Sequence, residues 1–133
     1  MLQKSLRMQT VQITPDDVHQ FIEDILTQTD VPRPAATRLY IAADEIAANI
    51  LQYSGATILE ITCSVTDENV TISFADNGIP YNPLEREDPD VTLSAEERSI
   101  GGLGIFMVKS TMDAVDYEYR DGKNVLTVTK NTK

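Results

Sequence analysis

The stretch SIGGLGIFMVKSTMDAV, residues 99–115, places three glycines immediately before an apolar run. Gly101, Gly102 and Gly104 weaken the interior of any helix or strand by roughly 0.5–1 kcal/mol each. The residues that follow are nonetheless typical of a buried helix, which we predict over about 103–112. Backbone N–H groups at a helix start without side chains, helped by the helix dipole, form an anion cradle. The stretch therefore predicts a phosphate-binding helix start, with a flexible hinge into a core helix as the open alternative.

The composition indicates a folded, acidic, single-domain protein. The chain has 133 residues, of which 41% are hydrophobic, and its 11 basic and 21 acidic residues give a net charge of −10. Such a charge disfavours binding to nucleic acid or to anionic membrane surfaces. No apolar stretch is long enough to span a bilayer, the N-terminus lacks a signal core, and the single cysteine, Cys63, excludes an internal disulfide. We expect one domain over 1–133 and a cytoplasmic location.

The hydrophobic periodicity predicts the element order β-α-α-β-β-loop-α-β-β. The predicted elements are a strand over 6–13, helices over about 14–29 and 35–53, a hairpin of 57–66 and 70–75, the helix after the glycines, and strands over 115–120 and 124–130. Strands that follow one another in hairpins pair antiparallel, and the three helices can then cover one face of the sheet. The predicted fold class is therefore α+β, a two-layer α/β sandwich with a mixed, mostly antiparallel sheet and helices on one face.

Two polar residues on the second predicted helix form the first candidate site. Glu45 and Asn49 are four residues apart and share a helix face beside the apolar stripe. A carboxylate there can deprotonate a hydroxyl or a water, and an amide oxygen one turn away can ligate Mg²⁺. The alternative is an ordinary solvated helix face, because this spacing also occurs by chance.

The segment DNGIPYNP, residues 76–83, forms the second candidate site, directly after a predicted strand. Asp76 ends an apolar run, so we expect its carboxylate to point into a pocket at the strand end. Such a carboxylate accepts a hydrogen bond from an exocyclic amine, which selects an adenine-like ring. Gly78 allows a ligand or backbone to approach closely. The alternative is an ordinary turn after a strand.

Each of these motifs is weak alone, but their order is specific. An E-x-x-x-N helix, a D-x-G-x-P turn after a hairpin, a loop and then G-G-L-G-I at a helix start resembles the GHKL ATPase superfamily, whose ATP-binding domain has the Bergerat-type fold. Within it, DNGIPYNP followed by GGLGIFMVKSTMDAVDYEYRDGKNVLTVTK looks most similar to the anti-sigma-factor serine/threonine kinases. The resemblance covers essentially the whole chain.

The resemblance implies a role for each matching residue. Glu45 is expected to be the general base, Asn49 to bind Mg²⁺, and Asp76 to hydrogen-bond the adenine amino group with Gly78 beside it. Thr127 is expected to reach the adenine through water, and residues of about 81–101 to form an ATP lid. The residues implied in binding ATP or ADP are Asn49, Asp76, Gly78, Gly102, Leu103, Gly104, Ile105 and Thr127.

The resemblance also implies a partner-switching function. A homodimer of such a kinase holds a sigma factor inactive, or instead phosphorylates a small STAS-type anti-anti-sigma protein on serine. We therefore expect an ATP-dependent protein serine kinase that acts as an anti-sigma regulatory factor, without direct binding to nucleic acid or membrane. The alternatives are a nucleotide-gated regulatory binding protein without kinase activity and a histidine-kinase catalytic domain detached from its dimerisation helices.

Overall fold

The computed structural model describes residues 2–85 and 102–132, which form one antiparallel sheet and the helices packed on it. The strands are β1 (Leu2–Gln9), β2 (Ile58–Val65), β3 (Asn69–Asp76), β4 (Ala114–Arg120) and β5 (Lys123–Asn131). The helices are α1 (Pro15–Leu26), α2 (Arg33–Tyr53) and α3 (Gly102–Thr111), with short 3-10 turns at Thr10–Gln12 and Pro83–Glu85. Within the described residues the five strands lie in the order β1-β2-β3-β5-β4, each pair antiparallel. The predicted α+β fold class is confirmed.

Strict alternation in β2 and β3 creates the two faces of the sheet. Leu59, Ile61 and Cys63 of β2 are completely buried, and the residues between them are only half-buried. In β3 the same period buries Phe74 and, two residues later, Asp76. Because side chains alternate between faces in a strand, the apolar set faces the helices, as the sequence predicts. Asp76 therefore enters the helix-covered side of the sheet.

Helix α2 lies at the centre of the helical layer and packs against both α1 and α3. Its alanine-rich inner face allows close packing, and Leu39, Ala43 and Ile46 are buried there. The helix ends at Tyr53, and Ser54 caps it. The next residue, Gly55, has a φ of +69°, the left-handed conformation that commonly ends helices. The predicted end of this helix is confirmed, and the end fixes where Ser54 meets the turn after β3.

Helix α1 begins with a capping box at Thr14. The Thr14 hydroxyl accepts a hydrogen bond from the Asp17 backbone N–H, and the Asp17 carboxylate accepts one from the Thr14 N–H. Pro15 occupies the first turn, where its missing N–H costs nothing. Across the α1–α2 contact, His19 lies 3.5 Å from the Asp44 carboxylate.

The first strand lies earlier in the chain than predicted. The sequence prediction placed it over 6–13, whereas β1 is Leu2–Gln9 and a 3-10 turn follows. The bounds come from pairing with β2, in which Leu2 lies opposite Val65 and Gln9 opposite Ile58. Ile13 is buried just before α1 and does not belong to the strand. That register depends on a partner strand about 50 residues away, which local periodicity does not encode.

A two-residue turn connects β4 to β5. Asp121 and Gly122 have φ of +55° and +77°, between the paired residues Arg120 and Lys123. Two consecutive positive φ values match the twist of the flanking strands in a tight hairpin, and an Asp-Gly pair adopts them at low cost. The turn lies between the two strands predicted over 115–120 and 124–130, and it sets the register of β5 against β4. No helix among residues 2–85 and 102–132 is long and apolar enough to cross a membrane.

The buried position of Cys63 predicts an unreactive thiol. Burial raises the pKa of Cys63 to about 12, so only roughly one thiol in ten thousand is ionised at pH 8, and the thiolate is the reactive form. We expect iodoacetamide at pH 8 to modify the native protein at least a hundredfold more slowly than the urea-unfolded protein, as measured by intact mass. Equal rates in both states would place Cys63 on the surface.

Candidate functional site

A cavity of about 280 Å³ opens between the C-terminal half of α2, the start of α3 and the ends of β3, β4 and β5. Its described lining residues are Ile46, Asn49, Ile50, Tyr53, Ser54, Asp76, Ile79, Tyr81, Pro83, Ile105, Tyr117, Asn124 and Leu126. Most of these side chains are apolar or aromatic, and a few are polar, among them Asn49, Asp76 and Asn124. This combination is typical of a small-molecule site.

Asp76 is the buried charge of this cavity, with only 4% of its surface exposed. Its Oδ1 accepts hydrogen bonds from the Gly78 backbone N–H at 2.9 Å and from Asn124 Nδ2 at 3.2 Å. Among the described residues these are the hydrogen bonds to the Asp76 carboxylate, and both use the same oxygen. Oδ2 is therefore left as an acceptor for a ligand in the cavity.

Asn124 is the second buried polar side chain of the described core and lies opposite Asp76 in the β3–β5 register. Besides the Asp76 carboxylate, its Nδ2 donates to the Ile79 carbonyl at 2.9 Å. Its Oδ1 accepts from the Tyr81 backbone N–H at 3.0 Å and from the Tyr117 hydroxyl. One amide therefore joins β3, β4, β5 and the turn that follows β3.

Gly78 allows the close approach that the sequence predicts, and the approaching group is protein backbone. A Cβ on Gly78 would lie 2.4 Å from the Ser54 carbonyl oxygen and 2.9 Å from Asp76 Oδ1. The same Ser54 carbonyl accepts a hydrogen bond from the Ile79 N–H at 3.1 Å. The end of α2 and the turn after β3 thus pack so closely that only glycine fits between them.

The two candidate residues of α2 lie differently with respect to the cavity. Asn49 is half-buried and lines it, whereas Glu45, one turn earlier and also half-buried, does not belong to the lining. The structure therefore brings Asn49 into one site with Asp76. It leaves Glu45 on the same helix outside that cavity.

The predicted glycine-rich helix start is where the sequence places it, since α3 begins at Gly102. Leu103 and Gly104 follow in its first turn, and Ile105 is buried and lines the cavity. The first turn of α3 is thus adjacent to the space that Asn49 and Asp76 share. Most of the predicted lid, residues 86–101, lies outside the described residues.

Thr127 is not brought to the cavity. It lies between the inward-facing Leu126 and Val128 of β5, on the opposite face of the sheet from the helices. Its hydroxyl is 3.0 Å from the Ser73 hydroxyl of the neighbouring strand. The polar residue of β5 that lines the cavity is Asn124.

Sequence reasoning missed Asn124 and Tyr117. A signal for Asn124 was present in the sequence. It lies two residues before Leu126, so both side chains are on the inward face of β5. A polar residue on the buried parity of a strand requires buried hydrogen-bond partners. Tyr117 carried a weaker signal, since tyrosines at strand edges are common.

The side chains that line the cavity do not by themselves compensate the negative charge of an anionic ligand. None of its described lining residues is Lys or Arg, and Asp76 adds a negative charge. In the described ranges no three His, Cys, Asp or Glu side chains are placed to hold a metal ion. The Asn49 amide oxygen is, however, a hard ligand that suits Mg²⁺ bound mainly through phosphate oxygens and water. The backbone N–H groups at the start of α3 are donors that suit the phosphate oxygens of an anionic ligand.

Comparison with known sequences gives matches along nearly the whole chain. The family described as "Histidine kinase-like ATPase domain" matches residues 11–130. The serine/threonine-protein kinase BtrW of Bordetella bronchiseptica is 26% identical over 132 residues, which cover 96% of this chain and 93% of that protein. The serine-protein kinase RsbW of Listeria monocytogenes is 30% identical over 96 residues, or 66% of this chain and 61% of the relative.

Solved structures show the same fold at low sequence identity. The histidine kinase AdeS of Acinetobacter baumannii has a TM-score of 0.57 at 15% identity, covering 98% of this chain and 68% of that one. The catalytic domain of the histidine kinase ThkA has a TM-score of 0.53 at 15% identity, with 97% of both chains covered. The architecture of this chain is thus that of histidine kinase catalytic domains.

Replacing Gly78 by alanine should disturb the site from within. The added Cβ would overlap the Ser54 carbonyl oxygen at 2.4 Å, and forcing extra atoms into a packed region costs about 1–3 kcal/mol. We expect a corresponding loss in the free energy of unfolding, measured by urea denaturation. G122A measures a different cost, that of a positive φ without a steric clash, because Gly122 has open space around it and a φ of +77°. A G78A protein as stable as the wild type would contradict the close packing.

Proposed function

The chain belongs to the histidine kinase-like ATPase domain family, and from that premise we propose that it is an ATP-dependent protein serine kinase that acts as an anti-sigma regulatory factor. The curated relatives named as serine/threonine and serine-protein kinases support the reaction. We further propose that residues 1–133 act as one ATPase domain, with about 81–101 as its ATP lid. Its partner is a STAS-type anti-anti-sigma protein phosphorylated on serine, with a sigma factor as the competing partner of a homodimer.

The observation that carries this proposal is the buried Asp76 in an apolar cavity. Gly78 and Asn124 occupy Oδ1 of its carboxylate, and Oδ2 remains an acceptor. An acceptor held in an apolar pocket favours a ring with an exocyclic amine, as in adenine, and disfavours a ring with a carbonyl there, as in guanine. The apolar walls, including Ile46 and Leu126, suit the faces of a purine.

The phosphate end of the nucleotide is assigned to α2 and α3. The Asn49 amide oxygen is proposed to ligate Mg²⁺, which neutralises phosphate charge when bound. The N–H groups at the start of α3, over Gly102, Leu103, Gly104 and Ile105, are proposed to hold phosphate oxygens. With no Lys or Arg among the described lining residues, these groups have to supply most of the compensation for charge. Phosphoryl transfer depends mainly on such positioning and neutralisation.

Glu45 is proposed as the general base for transfer to the partner. Its carboxylate accepts the proton of a serine hydroxyl while the hydroxyl oxygen bonds to the γ-phosphorus. The bond from that phosphorus to the β–γ bridging oxygen breaks, which yields phosphoserine and ADP. A base half-buried on α2 outside the nucleotide cavity suits a nucleophile that arrives from another protein.

A second candidate function is a nucleotide-gated binding protein without kinase activity. The position of Glu45 outside the cavity lining favours it, because nucleotide binding then does not itself require that carboxylate. The two candidates differ in whether phosphate reaches a serine, which the Glu45 experiment decides.

Removing the Asp76 carboxylate should weaken the binding of adenine nucleotides. A hydrogen bond to a charged group is worth about 1.5–3 kcal/mol, so D76A is expected to bind ATP and ADP about 10- to 100-fold more weakly in calorimetric titrations.

N49A should instead lose the Mg²⁺-dependent part of ATP binding and keep ADP binding in the absence of Mg²⁺.

D116A is the matched control for the Asp76 experiment, since Asp116 is an exposed carboxylate on β4, the edge strand separated from β3 by β5. Its removal changes the net charge equally and should leave nucleotide affinity within about twofold. Equal affinities of D76A and the wild type for ATP would refute the assigned base pocket.

Removing the Glu45 carboxylate should stop transfer without stopping binding. General-base catalysis typically contributes 10²–10⁴ in rate, so E45Q is expected to slow phosphoserine formation on a STAS-type protein of the same organism by about that factor. Mass spectrometry of the partner after incubation with Mg·ATP measures the product, and calorimetry measures ATP affinity. D44N changes the adjacent carboxylate, which contacts His19, and should keep the wild-type rate. Unchanged transfer by E45Q would reject Glu45 as the base, and no transfer by the wild type would favour the binding-protein function.

A further inference from the structure

The turn after β3, residues 77–81, keeps its place although its own apolar side chains are exposed. Ile79 is 66% exposed and Tyr81 49% exposed, so burial of these side chains contributes little to holding the turn. The contacts that fix it are polar. The Ile79 N–H donates to the Ser54 carbonyl at 3.1 Å, which ties one side of the turn to α2.

The Asn77 side chain ties the start of the turn to the backbone of Thr57 and Ile58, and the side chain of Asn124, on β5, holds the residues that follow. Its Nδ2 donates to the Ile79 carbonyl at 2.9 Å, with the Gly78 carbonyl at 3.5 Å. Its Oδ1 accepts from the Tyr81 N–H at 3.0 Å. Two points of the turn backbone are therefore held by one amide that is itself only 6% exposed.

The orientation of this amide is set by its partners. The Ile79 carbonyl can only accept and the Tyr81 N–H can only donate, so Nδ2 must face Ile79 and Oδ1 must face Tyr81. The same orientation directs Nδ2 to Asp76 Oδ1 at 3.2 Å. The group that holds the turn thus also fixes the carboxylate.

We propose that Asn124 is a positioning residue that fixes the turn of residues 77–81 and the Asp76 carboxylate together, and thereby sets the preference of the cavity for a purine with an amino group, rather than a carbonyl, at C6. This inference rests on the proposed nucleotide-binding function. By occupying Oδ1 of Asp76, Asn124 leaves Oδ2 as the acceptor that faces the ligand. By holding the turn, it keeps that oxygen at a constant depth in the cavity.

The first test needs no nucleotide. Backbone amide hydrogen exchange, followed by NMR, should show the Tyr81 N–H exchanging at least tenfold faster in N124A than in the wild type, because its acceptor is gone. The Thr66 N–H, which bonds to the Asn69 carbonyl at the far end of the β2–β3 hairpin, should exchange at the same rate in both. An unchanged Tyr81 rate would overturn the proposal.

The second test measures selectivity with N124D, which has nearly the same volume as the wild-type side chain and replaces the Nδ2 donor with an acceptor. ATP binding is expected to weaken about tenfold. The ratio of the GTP to the ATP dissociation constant is expected to fall by a similar factor, although Asp76 is intact. A purely structural role for Asn124 would weaken both nucleotides equally and leave the ratio unchanged, and that result would overturn the proposal.

The control is T129V, a substitution on the same strand whose residue faces away from the helices. It should leave both the Tyr81 exchange rate and the nucleotide ratio at wild-type values. The two tests separate the proposals. A wild type that binds no nucleotide would reject the proposed function and the selectivity role, whereas faster Tyr81 exchange in N124A would still establish that Asn124 holds the turn.

Discussion

The structure around the cavity depends on one constraint, the burial of a carboxylate in an apolar layer. Asp76 lies on the buried face of β3 with 4% of its surface exposed, and a buried charge without hydrogen bonds is strongly destabilising. The two donors to its Oδ1, from Gly78 and Asn124, offset that cost. These two hydrogen bonds also require three features of the surrounding structure. The turn after β3 must be tight enough to direct the Gly78 N–H at the carboxylate, and residue 78 must be glycine because the end of α2 packs against it. The residue of β5 opposite Asp76 must carry an amide that faces inward.

Much of the fold follows from local patterns in the sequence. Alternation places Phe74 and Asp76 on the inner face, the Thr14 cap marks the start of α1, and the Asp-Gly pair marks the last hairpin, all as found. What local patterns lack is pairing between distant strands. The bounds of β1 are set by its pairing with β2. Strand β5 pairs with β3, a strand that does not adjoin it in the sequence, so no local pattern specifies its position. This missing register is why the strand prediction for 6–13 was displaced.

The same limitation explains what could be predicted of the candidate site. Asp76, Gly78 and Asn49 each stand in a local motif, and the structure places them around one cavity or against its wall. Thr127 was assigned by resemblance alone, and the alternation of β5 places it on the opposite face, bonded to Ser73. The inward position that Asn124 shares with Leu126 was a local signal, and the cross-strand register adds that Asn124 lies opposite Asp76. The roles of Glu45 and of the α3 start remain predictions.

The cavity draws on only part of the fold. Its described lining residues come from α2, α3, β3, β4, β5 and the segment after β3, and none comes from β1, α1 or β2. Sequence change in that first portion is constrained by folding but not by contact with a small ligand. Exposed residues of β1 and α1 can therefore be substituted without changing the lining of the cavity, so this edge of the sheet and the cavity at the other edge can be altered separately.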